Sequence, residues 1–505
     1  MTEQMWHIVA FAVYFMAVLA IGFVFFFKSK GGGEKEYFLG GRKMGPWVTA
    51  LSAQASDMSA WLLMGLPGSI LAFGFGEVWI GIGLALGTAG NWIFTAKRLR
   101  RFSKASGDSI TLPQYLSNRF GGGKTVLQTV CALIFLVCFT VYVASAFVAG
   151  TSVFTTVFPK LEPGIAMIIF AVIILIYTFM GGYKAVCWTD FFQGFLMLAA
   201  VLAVPILAAV SGDANPEALK ETYTYLDGGK EVACAFVGTP FEATWQDIAS
   251  GLAWGLGYFG MPHILVRFMS IRKSKEVKTA AAVAIVWVVI ALGAVTVMAI
   301  LGRMIVPELL ADGSQKMIFI VLAKKYFHPL LAGLLMSAII AASMSTADSQ
   351  LLVASSSFTS DIYKPLVHKS AKDKEIMWIG RGVVVIVAVV AYFIASSKGE
   401  GAQAIMSLVE NAWAGFGSAF GPVVILSLFW KRFNYQGALA GVIVGAVVDV
   451  AWLFGGLSAS TGIYELIPGF IAGLVASVVV ALLTKAPDEA TAKIFAEATN
   501  KEIDD

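Results

Sequence analysis

The sequence predicts an all-α protein that crosses a membrane about thirteen times. Composition is the first reason. Of 505 residues, 58% are hydrophobic and 13% charged, against about 25% charged in soluble domains. Length is the second. A hydrocarbon core about 30 Å thick takes roughly 20 helical residues, and apolar runs of that order recur along the whole chain. The third is the placement of Lys and Arg, which gather on alternate connections. This balance excludes a cytosolic enzyme, a disordered scaffold and a nucleic-acid binder. A net charge of +4 is too small for a polyanionic partner. Cys131, Cys138, Cys187 and Cys234 form no CxxC pair, and four histidines are too few for a His-rich metal centre.

The apolar stretches fall at 5–27, 46–72, 75–96, 125–157, 164–183, 190–210, 247–268, 279–302, 328–358, 378–397, 404–429, 436–456 and 464–484. The first begins with Thr2, Glu3 and Gln4 and lacks a basic leader, so it reads as a retained helix and not as a cleaved signal. An odd number of crossings puts the termini on opposite sides. With the C-terminus inside, the cytoplasmic segments hold 28 of the 36 Lys and Arg residues. That bias predicts a periplasmic N-terminus and a cytoplasmic C-terminus. The longest outer segment, 211–246, is rich in acids, and the tail, 485–505, reads as a short cytoplasmic helix or a disordered end.

Most stretches are plain runs of Leu, Val, Ile, Ala and Phe. Three are not. The second places Ser52, Gln54, Ser56, Asp57 and Ser59 at membrane depth and then turns to Gly65, Pro67 and Gly68. The seventh carries Gly251, Gly255, Gly257, Gly260 and Pro262. The ninth carries Ser337, Ser343, Ser345, Thr346, Asp348 and Ser349. A broken helix is tolerated in a membrane where protein or a watery cavity satisfies its backbone. A lone carboxylate there marks a pathway or a partner. Two broken stretches five positions apart are the sign of an inverted five-helix repeat around a central site. Ser345, Asp348 and Ser349 stand at i, i+3 and i+4 and share one helix face. Hydroxyls with unwound carbonyls form a hard oxygen cage that suits Na⁺ as it suits other hard cations, and a nearly neutral cage favours a monovalent ion over a divalent one.

Six segments carry a family resemblance: LGGRKMGPWVTALSAQASDMSAWLLMGLPG (Leu39 to Gly68), FTVYVASAFVAG (Phe139 to Gly150), GGYKAVCWTDFFQG (Gly181 to Gly194), AWGLGYFGMPHILVRFM (Ala253 to Met269), SAIIAASMSTADSQLLVASS (Ser337 to Ser356) and NAWAGFGSAFGPVV (Asn411 to Val424). In order and spacing the chain resembles the sodium/solute symporter family. The resemblance implies a leucine-transporter-type core of two inverted five-helix repeats. One helix with a first cytoplasmic loop (1–44) precedes it, the repeats occupy 45–210 and 247–430, and two helices (431–484) follow. It also implies Na⁺-driven import of L-proline by alternating access across a bacterial inner membrane, with no enzymatic step and no obligatory protein partner. The implied Na⁺ ligands are the carbonyls of Ala55, Met58 and Ala342 and the side chains of Ser345 and Thr346, with Asp57 in support. The implied substrate contacts are Ser59, Tyr142, Trp254, Tyr258 and Pro262. Asp190 corresponds to a carboxylate that in some relatives helps to form a second Na⁺ site. Here Asp190, Ser345, Asp348 and Ser349 would supply it.

The chain departs from the family pattern at four places. Asp348 and Ser349 stand where the best-known member has a serine and a cysteine, Gln54 replaces a glycine, and Met261 replaces a glutamine. The residues alone leave plainer readings open. Asp57 and Asp190 could be helix or loop caps. Ser345 and Thr346 could bond back to the preceding turn, and Trp254 and Tyr258 could simply pack. Arg42 is an inner gate or ordinary positive-inside charge. Asp449 and Glu410 read as helix-end or cavity acids, and His263 as a packing residue. Gly121 to Thr125 superficially resembles a phosphate loop, but Asn118 occupies its first glycine position and no nucleotide-binding domain is evident. A channel, a sensor and a membrane-embedded enzyme are disfavoured, and another small amino or organic acid remains the alternative substrate.

Overall fold

The computed structural model describes residues 2–28, 33–121, 125–227, 230–398 and 403–500. The glycine-rich run with Lys124 lies mostly outside them. The first helices are α1 (Glu3–Lys28), the short α2 (Glu34–Leu39), α3 (Pro46–Met58), α4 (Gly65–Phe73), α5 (Val78–Gly90), α6 (Lys97–Ala105) and α7 (Leu112–Arg119). Next come α8 (Thr125–Val157), α9 (Pro163–Gly181), α10 (Tyr183–Val210), α11 (Trp245–Gly257), α12 (Pro262–Ser270), α13 (Val277–Ile305) and α14 (Ile318–Tyr326). The last are α15 (Pro329–Ser356), α16 (Asp373–Lys398), α17 (Ala404–Phe429), α18 (Tyr435–Phe454), the short α19 (Leu457–Thr461), α20 (Leu466–Leu483) and α21 (Glu489–Thr499).

Ten helices among the described residues are long and apolar enough to cross a membrane. The other three expected stretches are helical too, but the second and seventh are interrupted and the fifth is shorter. Pro46, Pro163, Pro262 and Pro329 open their helices at the first position, where a missing N–H costs nothing. The interruption in the second stretch is at Ser59, whose φ of 46° and ψ of −174° no helix contains. Its hydroxyl accepts from the Trp61 amide at 3.1 Å and steadies the turn. In the seventh, α11 ends at Gly257 and α12 restarts at Pro262.

Glycine brings α11 against α5. A β-carbon on Gly83 would stand 2.3 Å from the Gly251 carbonyl oxygen, and one on Gly87 the same distance from that of Gly255. In lipid, where apolar burial between helices gains little, such small-residue contact is how helices pack tightly. The polar face of α15 is enclosed by α1, α3, α8 and α10. All its residues from Met336 to Ser356 are buried.

Two expected boundaries are corrected, and one element is added to the nearly all-helical chain: Tyr223–Asp227 pairs antiparallel with Lys230–Cys234 in the outer segment. Arg303 fastens this hairpin region, donating to the carbonyls of Leu71 (3.0 Å), Glu221 (2.6 Å) and Cys234 (3.1 Å). The 75–96 stretch runs on through a π turn at Asn91–Ala96 to Ala105. Its basic end stays helical because Leu99 and Phe102 are buried and Arg100 donates to the Ile271 carbonyl at 2.6 Å. The sixth stretch starts at Tyr183, seven residues before its expected start at 190, with Asp190 one to two turns inside the helix. The tail forms α21, which packs on α6 and α7, and Arg119 donates to the Thr491 carbonyl at 3.2 Å.

Candidate functional site

The two interruptions face each other. The Tyr258 hydroxyl, just past the end of α11, donates to Asp57 Oδ2 at 2.5 Å. Tyr142, from the middle of α8, donates to the Asp57 carbonyl at 3.4 Å. Asp57 is 4% exposed. Its carboxylate therefore ties the break in α3 to the break between α11 and α12, which a simple helix cap would not do.

Two residues back along α3, the Ser345 hydroxyl of α15 donates to the Ala55 carbonyl at 2.8 Å and lies 3.2 Å from the Ala342 carbonyl. Three of the five expected cation ligands thus share one spot. Thr346 Oγ1 is buried and has no hydrogen-bond partner among the described residues. Buried polar atoms are rarely left unpaired, so an orphan hydroxyl on the residue that follows Ser345 is suited to a small monovalent cation. A cation there takes the oxygen lone pairs toward which the serine proton now points. Met58, the last residue of α3, is buried next to the break. The carbonyl end of a helix also favours positive charge.

Aromatic rings roof this region. Trp254 stacks on Trp61 (centroids 5.5 Å, 28°) and on Tyr464 (5.4 Å, 24°). Trp413 of α17 stacks 6.3 Å from Trp254 and donates to its carbonyl at 2.8 Å. Tyr258 meets Trp413 edge-on at 5.0 Å. Trp254 and Tyr258 therefore lie in one aromatic cluster, although different partners hold them. His263, next to Pro262, is fully buried, and neither ring nitrogen has a partner among the described residues. Gln54 and Met261 are buried as well.

A second polar centre lies beside the first. Arg267 of α12 and Asp190 of α10, 1% and 0% exposed, pair at 3.1 Å. Ser52 of α3 donates to Asp190 Oδ2 at 2.7 Å. Arg267 Nε donates to Ser52 Oγ at 3.2 Å, Nη1 to the His263 carbonyl at 2.7 Å, and Nη2 to Ser349 of α15. Four helices thus meet at one guanidinium. Asp190 Oδ1 and both oxygens of Asp348 have no hydrogen-bond partner among the described residues. Ser345, Asp348 and Ser349 share a face, as the spacing predicts, but Ser345 reaches Ala55 while Ser349 reaches Arg267.

The basic end of the bundle is tied shut. Arg42 is 7% exposed, donates to Asp108 Oδ1 (2.7 Å), Ser103 Oγ (3.0 Å) and the Ser109 carbonyl (2.8 Å), and also reaches the Met269 carbonyl. Partial burial would raise the Asp108 pKa, but hydrogen bonds and charge from Lys35 and Arg42 outweigh it and hold the carboxyl below its usual range. Arg42 is thus a knot between three segments, beyond a solvated positive-inside charge. At the opposite end a cavity of about 270 Å³, edged by Glu77, Asp247 and Glu410, reaches down to Trp254.

The profile of the sodium:solute symporter family matches residues 37–445. The chain belongs to the sodium:solute symporter family. It is 41% identical over 491 residues to the osmoregulated proline transporter OpuE of Bacillus subtilis, covering 97% of each chain. It is 42% identical over 501 residues to the sodium/proline symporter of Escherichia coli, covering 97% of this chain and 96% of that one. A solved Na⁺-coupled sialic acid symporter in a substrate-bound outward-open state superposes with a TM-score of 0.72 at 20% identity, over 96% of this chain and 99% of that one. MhsT in complex with L-phenylalanine superposes at 0.54 with 14% identity, over 86% and 97% of the two chains. The leucine-transporter-type membrane fold is therefore borne out. Members of the sodium:solute symporter family are transporters and not enzymes, and sodium coupling goes with the family.

Sequence reasoning missed Arg267, Trp61 and Trp413. Arg267 counts by sequence among the basic residues of the following loop. The overlooked signal was its position inside the 247–268 stretch, within the apolar run His263 to Met269. Trp61 and Trp413 are 352 positions apart, and no local spacing joins them.

Proposed function

We propose that this chain imports L-proline across a bacterial inner membrane, driven by Na⁺ moving down its gradient. The observation that carries the reading is the Ser345 hydroxyl lodged 2.8 Å from the Ala55 carbonyl at the broken end of α3. Its agreement with two proline transporters at 41% and 42% identity supports the substrate. Ala55, Met58, Ala342, Ser345 and Thr346 hold Na⁺, and Asp57 keeps the broken helix in place. Ser59, Tyr142, Trp254, Tyr258 and Pro262 hold proline. Its carboxylate suits N–H groups freed where a helix is interrupted, and its ring suits the aromatic cluster. Asp190, Ser345, Asp348 and Ser349 border a second cation site, in which Arg267 already supplies one positive charge.

The repeats occupy 45–210 and 247–430, with the N-terminus periplasmic and the tail cytoplasmic. Na⁺ arrives from outside, bridges α3 and α15, and so favours the outward-open form. Proline then fills the space beside it, and the loaded core tips inward. One Na⁺ crossing a 100 mV potential supplies about 2.3 kcal/mol. That corresponds to about a 50-fold accumulation at 1.4 kcal/mol per factor of ten.

Purified protein in proteoliposomes is expected to accumulate radiolabelled proline only when a Na⁺ gradient is imposed. Equal uptake without the gradient would overturn the coupling. A competition series with pantothenate, sugars and sialic acid tests the substrate, and proline alone among these is expected to compete. Trp254→Ala is expected to weaken proline binding by about tenfold, the effect of losing one well-placed ring contact of roughly 1–1.5 kcal/mol. Its Na⁺ affinity measured without proline should stay near that of the parent, and an equal loss in both would assign Trp254 to packing.

A further inference from the structure

A cavity of about 380 Å³ opens between α8, α17 and α18, away from the site described above. Its mouth is apolar. Val137 of α8 and Phe454 of α18 flank it and are 66% and 84% exposed, so it opens toward the hydrocarbon and not toward water. A carboxylate lines its interior. Asp449 lies five residues before the end of α18, which at 1.5 Å per residue is about 8 Å along the axis. It is 3% exposed, and its Oδ1 accepts from Ser418 Oγ at 3.1 Å. Oδ2 has neither a hydrogen bond nor an ion pair among the described residues. Gly415 of α17 leaves the space beside it. A β-carbon there would stand 2.9 Å from Cys138 Sγ and 3.8 Å from Asp449 Oδ2. The charged side chain that acts on it is another acid, Glu465.

A carboxylate reached through a hydrocarbon mouth is costly unless it takes up a proton or a cation covers it. We propose that this cavity binds a lipophilic amine from the bilayer, with the ammonium group on Asp449 and the hydrocarbon body along α8 and α18. Asn411 offers the ammonium a second polar side chain in the lining. Among the described residues the lining contains no basic side chain, so they offer no partner for a phosphate. That favours a simple amine over a phospholipid head.

The test uses the full-length protein in phosphatidylglycerol nanodiscs and a diazirine-bearing decylamine as photolabel. Label is expected on α8, α17 and α18 around the cavity, displaced by excess dodecylamine but not by dodecanol. Asp449→Asn is expected to lower labelling about tenfold by removing the buried ion pair. Val137→Trp fills the mouth without changing charge and should abolish labelling while Na⁺-driven proline uptake persists. Equal displacement by dodecanol, full labelling of either variant, or label spread evenly over all lipid-facing helices would overturn the proposal. If Asp449→Asn fails to fold, Val137→Trp and the alcohol competition decide it alone.

Discussion

Asp57→Ala is expected to raise the Na⁺ concentration for half-maximal proline uptake by roughly ten- to a hundredfold. A hydrogen bond to a charged group contributes about 1.5–3 kcal/mol, and each 1.4 kcal/mol is a factor of ten. The bond lost is the one from Tyr258 to Asp57 Oδ2 at 2.5 Å. Without it, the break at Ser59 is no longer fixed against the break before Pro262. The carbonyls of Ala55 and Met58 then cease to be held in position for a cation. Asp57→Asn keeps the shape and loses the charge, so it should fall between parent and alanine. The check is a Na⁺ titration of uptake at fixed proline. An unchanged half-saturation in the alanine variant would count against the assigned site.

The second large effect concerns Arg267. Arg267→Met leaves Asp190 buried with Ser52 as its remaining donor. Removing one partner of a buried ion pair costs about 3–5 kcal/mol, because the other charge stays uncompensated. The variant is expected to show a much lower thermal midpoint in detergent and little transport. Adding Asp190→Asn removes the stranded charge and should restore most of the midpoint. Transport should recover less, since four helices still lack their common donor. Identical midpoints for the single and double variants would show that Asp190 and Arg267 do not depend on each other.

Much of this arrangement was legible in the sequence because membrane chemistry makes exceptions conspicuous. Asp57 among serines, followed by Gly65 and Pro67, stands out where every unpaired backbone group is costly. So does the Ser345–Ser349 face of α15, whose spacing alone assigns one side of a helix. What stayed hidden depended on partners distant in the chain. Arg267 looks like a loop charge until Asp190, 77 residues earlier, is placed beside it. Trp61, Trp254, Trp413 and Tyr464 form one stack drawn from four parts of the chain. The basic extension of α6 also defeats a count of apolar residues, since Leu99 and Phe102 face inward while its charges point to carbonyls and water. The outer hairpin has no apolar face wide enough to stand out, and the backbone acceptors of Arg303 hold that region in place.

In the proposed mechanism one cation joins Ala55 to Ser345 and thereby makes room for proline. Equilibrium binding of radiolabelled proline to purified protein across a Na⁺ series tests it most directly. Saturating Na⁺ is expected to tighten proline binding, and saturating proline to tighten Na⁺ binding by the same factor, as linkage requires. Ser345→Ala should erase both shifts. Proline binding that is indifferent to Na⁺ in the parent protein, or a coupling that survives intact in Ser345→Ala, would contradict it.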